Sequence, residues 1–262
     1  MNASGRDDTA LANAILNGFA MTLSAAAAWY KKDLMSLTPA DVESLKTVLQ
    51  LSVCGDDTLG FLPPLPDRER AEFLTRLRAN IGRFGFEAKA FASDKFSDGV
   101  YLGHRPLPVN GRYYWHKTLG RCLYKVGWQP DVVGDGAAYM HGIMRMHTLC
   151  SAHTPILADI ATTYCSLRAG SKVTEAKLDN DRPWEWMGMS NPGHYADDTI
   201  AELAAVYSSE RSQTRGDLEP HSVVVTSSDI RHCIEYVKAN TLAVPCVLDH
   251  WVLKHMVWVD DL

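Results

Sequence analysis

The run LQLSVCGDDTLGF, Leu49–Phe61, constrains this chain more than any other stretch. Two apolar segments flank a Gly-Asp-Asp triplet, which predicts two short strands folded back on each other. TVLQLSV reads as the first strand and TLGFLPPLP as its return, stopped by Pro63, Pro64 and Pro66. The tip then carries Asp56 and Asp57 side by side. Adjacent carboxylates repel and gain little unless a cation lies between them. An isolated Asp-Asp is more often a solvated turn, so the alternatives are an exposed turn and a metal site.

The surroundings of this hairpin are α+β. Residues Thr9 to about Lys32 predict one long helix, uninterrupted by proline. SLTPADVESLK predicts another, with Thr38 as cap, Pro39 at the first helical position and Asp41 three residues after the cap. Asp67 is expected to cap a helix through RERAEFLTRLRANIG, where Ala71, Phe73, Leu74, Leu77 and Ile81 form an apolar stripe. FEAKAF and GVYLGHRPLPV read as short strands, and GRYYW pairs with the latter across Asn110-Gly111, a strong hairpin signal. Beyond Lys117 the pattern is mainly helical, with loops at NDRPWEWMGMSNPGH and TRGDLEPH.

Six cysteines without a C-x-x-C pair indicate reduced thiols rather than a disulfide framework or zinc ribbon. Cys54 reads as a small core residue. His147, Cys150 and His153 lie at i, i+3 and i+6, with His141 six residues earlier, a spacing zinc can use, but the sequence does not assign a complete tetrahedral set, so core and surface histidines are expected. The apolar stretch AILNGFAMTLSAAAAWY contains Asn17, Thr22 and Ser24 and follows Asp7 and Asp8, which favours a buried amphipathic helix over a leader or membrane span. Net charge is −5, yet Asp67–Lys125 holds twelve Lys or Arg against six Asp or Glu, giving +6 there and −11 elsewhere. Such asymmetry points to a face that attracts an anion.

The opening SGRDDTALANAILN fits S-G-x-x-x-T-x-x-x-N through Ser4, Gly5, Thr9 and Asn13. Thr9 and Asn13 are i and i+4, on one helical face, and Asn17 extends the row by a turn; the plainer alternative for the two asparagines, Asn17 above all, is a buried partner of backbone groups. With Gly55-Asp56-Asp57 some forty residues later, this resembles the RNA-dependent RNA polymerases of positive-strand RNA viruses, in particular the noda-like and tombus-like kind. The likeness covers their blocks B and C, with blocks D and E in IGRFGFEAKAF and VYLGHRP, over roughly the first 125 residues. It implies an antiparallel palm of split βαβ type over residues 1–110, including the acidic hairpin, followed by a mostly helical thumb over 111–262.

The resemblance also implies chemistry. Nucleotidyl transfer from ribonucleoside triphosphates uses two divalent ions, Mg²⁺ with Mn²⁺ as substitute, and Asp56 would be the principal ligand with Asp57 the weaker one. Ser4, Gly5, Thr9 and Asn13 would bind the entering nucleotide, Asn13 reading its 2′-hydroxyl. Lys89 would be the general acid, with Lys95 as the alternative. Arg105, Arg112, Lys117, Arg121 and Lys125, interleaved with Tyr113, Tyr114 and Trp115, would grip template and product RNA.

The family's block A, a D-x(4,5)-D element supplying a further aspartate, has no counterpart here, nor do the basic fingers. The chain therefore resembles the C-terminal part of a polymerase, expected to be inactive without an N-terminal half in the same or a separate chain. Its setting would be the host cytoplasm, at membrane-associated replication complexes. Competing readings are a reverse transcriptase or other palm polymerase, which Cys54-Gly55 before the aspartates disfavours, and a non-catalytic interaction protein or decayed host-integrated remnant.

Overall fold

In the computed structural model, which describes residues 9–126, 136–169, 192–208, 223–242 and 247–261, the first helix α1 spans Thr9–Trp29. Its C-terminal half carries four consecutive alanines, Ala25 to Ala28, all buried. Side chains this small let a neighbouring helix approach closely. That neighbour is α3 (Asp67–Gly82), which packs Phe73, Leu77 and Ile81 against the alanines. Trp29 meets Phe73 edge-on at 6.4 Å. Between them, α2 (Pro39–Leu45) starts at the expected capping box, Thr38 and Asp41 exchanging hydrogen bonds, and buries Leu45 in the same core.

Two expectations for this region need correction. Asp67 does not cap α3. Pro66, in extended backbone, precedes the helix, and Asp67 is already its first residue, paired with Arg70 one turn on. A carboxylate there still favours the helix through its dipole. The buried helix expected at the N-terminus is buried only in its second half: Leu11, Ile15, Leu16 and Phe19 are exposed. The Leu11–Trp29 stretch is long and apolar enough to cross a membrane by length and composition, and a third of it lies inside the fold.

The acidic hairpin is present. β1 (Gln50–Cys54) and β2 (Asp57–Phe61) run antiparallel, with Cys54 opposite Asp57 and Gln50 opposite Phe61. The first strand thus begins three residues later than TVLQLSV suggests, because Thr47–Leu49 complete the turn leaving α2. FEAKAF joins no ladder: among the described residues there are two separate two-stranded sheets.

These elements belong to one compact unit, Met1–Leu102; the second unit is Gly103–Leu262. The contact boundary falls earlier than the 110/111 division, which would cut the next hairpin at its tip. That hairpin joins β3 (His104–Val109) to β4 (Arg112–Lys117) across Asn110 and Gly111, with φ of 52° and 76°. Both central residues in the left-handed region are what a type I′ turn requires.

The described remainder of the second unit is helical, as expected. It comprises α4 (Leu119–Lys125), α5 (Gly136–Cys150), α6 (Leu157–Leu167), α7 (Asp197–Tyr207), α8 (Ser227–Asn240) and α9 (Trp251–Asp261). The expected TRGDLEPH loop, and all but the end of NDRPWEWMGMSNPGH, lie outside the described residues. α7 is tied to the hairpin by Asp198, which accepts from the Gly111 N–H at 2.7 Å, and by the Thr199 hydroxyl donating to Pro108 O.

The closest packing is between α4 and α9, where a Cβ on Gly120 would collide with the Met256 carbonyl. Beside it Tyr207, wholly buried, donates to Asp260, while Asp260 also accepts from the Gly120 N–H at 2.8 Å and Tyr207 from the Leu119 N–H at 3.2 Å. Burial first, then the Asp260 charge, holds the Tyr207 hydroxyl well above its ordinary range.

Three histidines of this unit, His116, His147 and His153, sit inside it, while His194 and His232 are exposed. His116 and His153 are buried with ring centroids 4.3 Å apart, His153 facing the Trp115 carbonyl at 2.9 Å, and His147 meets Ser151 at 3.3 Å. Burial, then the neighbouring His153, pushes the His116 imidazole down to about 2; burial pushes His147 down to about 4.

Two outcomes follow. Gly120→Ala should destabilise the chain by about 3 kcal/mol or more, since backbone rather than a flexible side chain opposes the new methyl; urea unfolding checks this. Secondly, histidines whose folded pKa is depressed favour the folded state above the unfolded pKa near 6.5 and cost stability as pH falls below it. The urea midpoint should drop between pH 6.5 and 4.5, each of His116 and His147 contributing a slope of roughly 1.4 kcal/mol per pH unit. His116→Leu should flatten that profile, measured at matched urea concentrations.

Candidate active site

The tip of the β1–β2 hairpin is a two-residue loop, Gly55-Asp56. Gly55 has φ +60° while Asp56 stays at negative φ, the pattern of a type II′ turn, which suits glycine at its first central position. Asp56 therefore projects from the turn and Asp57 from the first position of β2. Both are exposed, and among the described residues neither makes an ion pair. Two hard oxygen donors, adjacent, open to solvent and without a protein cation, fit the ligand chemistry of Mg²⁺ or Mn²⁺. No third acidic, histidine or cysteine side chain joins them among the described residues.

Alternation divides the hairpin into two faces. Leu51, Val53 and Thr58 point to α1, where Asn17 donates its side-chain amide to Gly55 O at 3.2 Å and to Thr58 Oγ1 at 2.9 Å. Thr9 opens α1 and Asn13 lies one turn before Asn17, half-buried, so the row read from sequence runs up to the acidic turn. Ser4 and Gly5 lie outside the described residues.

The opposite face leaves Cys54 exposed, not in a core as expected, because its strand places alternate residues outward. This face is followed by the segment at 96–101. Phe96 stacks obliquely on Phe61 at 5.7 Å, Gly99 lies by Leu59, and Tyr101 reaches Cys54 and Asp57 at the turn. Burial first, then the charges of Cys54 and Asp57, raises the Tyr101 hydroxyl pKa. Tyr101 and Asn17 are the site neighbours that sequence reasoning left without a role, though both stand within the quoted motifs.

The lysines are placed differently. Lys89 is exposed on the segment after α3 and makes no ion pair or side-chain hydrogen bond among the described residues. Lys95 precedes Phe96 and therefore lies toward the open end of the hairpin, which is about 14 Å of strand away from Asp57.

Positive charge in Asp67–Lys125 is not uniform in what it faces. In the first unit Arg70 pairs with Asp67 and Asp94, Arg76 with Glu72 and Arg83 with Asp33. In the second, Arg112, Lys117, Arg121 and Lys125 make no ion pair among the described residues. Arg121 and Lys125 stand one turn apart on α4, both exposed. Arg105 is half-buried and its charge acts on Tyr207, inside the unit. Tyr113 is exposed, whereas Tyr114 packs edge-on to His153.

Comparison with protein-family models and with curated proteins returned no match.

Proposed function

We propose that this chain is the C-terminal part of an RNA-directed RNA polymerase, the first unit being half of the palm and the second the thumb. One observation supports the reading: the helix row that the first motif begins reaches the acidic turn through Asn17. Asn17, on the Thr9–Asn13 row, bonds to the turn that bears Asp56 and Asp57. A solvated Asp-Asp turn has no need of a polar helix row beside it.

In this reading Asp56 and Asp57 hold Mg²⁺, which when bound stabilises charge on the transferring phosphate. The chain's own groups do the rest. Asn13 presents an amide that both donates and accepts, suited to a ribose 2′-hydroxyl. Arg112, Lys117, Arg121 and Lys125, uncommitted to protein carboxylates, attract an RNA backbone in a salt-dependent way. Lys89 and Lys95 stay as general-acid candidates. A third metal-binding carboxylate and the triphosphate-binding fingers would come from an N-terminal half, in this chain or another, at the host membranes where such replication takes place.

The test is Mn²⁺ binding to the purified chain, read by electron paramagnetic resonance. Asp56→Asn should weaken it by about 100-fold, while Asp57→Asn, an outer ligand, costs about tenfold. Equal affinity in wild type and Asp56→Asn would return the pair to an ordinary turn and leave the non-catalytic reading.

A further inference from the structure

We infer that Asn17 is a positioning residue, fixing the acidic turn and the nucleotide-facing row of α1 as one rigid piece. The inference rests on the polymerase reading and assigns a role to a residue which that reading leaves idle.

The geometry is specific. In a two-residue hairpin loop the Gly55 carbonyl lies outside the strand ladder and needs a donor from elsewhere. The Asn17 amide has two N–H donors, and they satisfy two acceptors on either side of the acidic pair: Gly55 O before it and Thr58 Oγ1 after it. Asp56 and Asp57 are thus bracketed by a single side chain. The amide orientation is dictated by its partner, because the reverse flip would set two carbonyl oxygens against each other.

The helix side of the clasp is equally constrained. α1 cannot slide or rotate freely, since its alanine half is buried against α3. Four residues of helix advance about 6 Å, so Asn13 stands one turn from Asn17 along α1. Metal-bearing turn and ribose-reading amide share a frame whose joint is Asn17. Tyr101 is the titratable group facing the turn from the other side, and no cation opposes the carboxylates among the described residues.

Three variants of the full chain test this, with two measurements: ¹⁵N relaxation of the Asp56 and Asp57 amides without metal, and Mn²⁺ affinity. Asn17→Leu keeps the shape and removes both donors. It should loosen the turn amides and weaken Mn²⁺ binding by about 10–100-fold, the usual cost of losing a group that orients a ligand. Asn17→Gln, which keeps the donors, should recover most of that loss. Thr58→Val leaves α1 untouched and removes one acceptor, so it should show the same effects in part and serves if Asn17→Leu does not fold. Turn amides as rigid as wild type in both Asn17→Leu and Thr58→Val would overturn the inference. So would a loosened turn with unchanged Mn²⁺ affinity while Asp56→Asn still abolishes binding, an outcome that leaves the polymerase reading standing. If Asp56→Asn binds Mn²⁺ like wild type, the metal reading itself fails, and the positioning role with it.

Discussion

Burial of the alanine half of α1 is the contact on which the first unit is built. Alanine gains little from transfer out of water by itself, but it allows Phe73, Leu77 and Ile81 of α3 to cover the helix with large side chains at close range. Without that seat, the exposed N-terminal half of α1 would be held over the hairpin by little more than the Asn17 bonds and the Gly18–Val53 approach. The polar row of Asn13 and Asn17 is useful only because the apolar row a few residues on is fixed. A chain that kept the acidic triplet and lost the alanines would keep the motif and lose its neighbour.

In the second unit a backbone contact takes the same part. Gly120 lets α4 and α9 touch main chain to main chain, and the Tyr207–Asp260 pair closes the seam by receiving the first N–H groups of α4. Such a buried polar pair is held in one arrangement because breaking either member leaves the other unsatisfied. Arg105 is drawn toward this seam and the charge of half-buried Lys117 acts on Cys122, His147 and Cys150, whereas Arg112, Arg121 and Lys125 are exposed. Electrostatic attraction to an anion would therefore come chiefly from Arg112, Arg121 and Lys125, and Arg70 and Arg76 of α3, with Arg83 just after it, contribute less because nearby carboxylates neutralise them.

Features fixed by local rules were legible in the sequence. The Thr38–Asp41 capping box, the type I′ turn at Asn110-Gly111 and the tight loop at Gly55 each depend on a few consecutive residues, and each stands as expected. Where the sequence misled, tertiary context decided. Asp67 has the residue type of a cap, but Pro66 enters the helix first. FEAKAF has the alternation of a strand but no edge to pair with. Cys54 is apolar enough for a core, yet register puts it on the open face. Asn17 reads from sequence as an extension of the row or as a partner of a backbone group, and the second is what stands, although a carbonyl 38 positions away is invisible to local pattern. His147 and His153 stand in the core, as one of the two expected settings, and His116 joins them there through contacts between β4 and the α5–α6 connection that periodicity does not encode.

The bracket around the acidic turn spans a long stretch of chain with two short contacts. Between Trp29 and Gln50 the path runs through a 3-10 turn at Leu34–Ser36, where Met35 is 86% exposed, before α2 returns it to the core. Neither half of the clasp depends on the length of that surface excursion. The excursion can lengthen, shorten or acquire a binding epitope over evolutionary time while the distance from amide to turn stays the same. An insertion beside Met35 would therefore change the outline of the first unit and leave the two contacts around the acidic turn as they are.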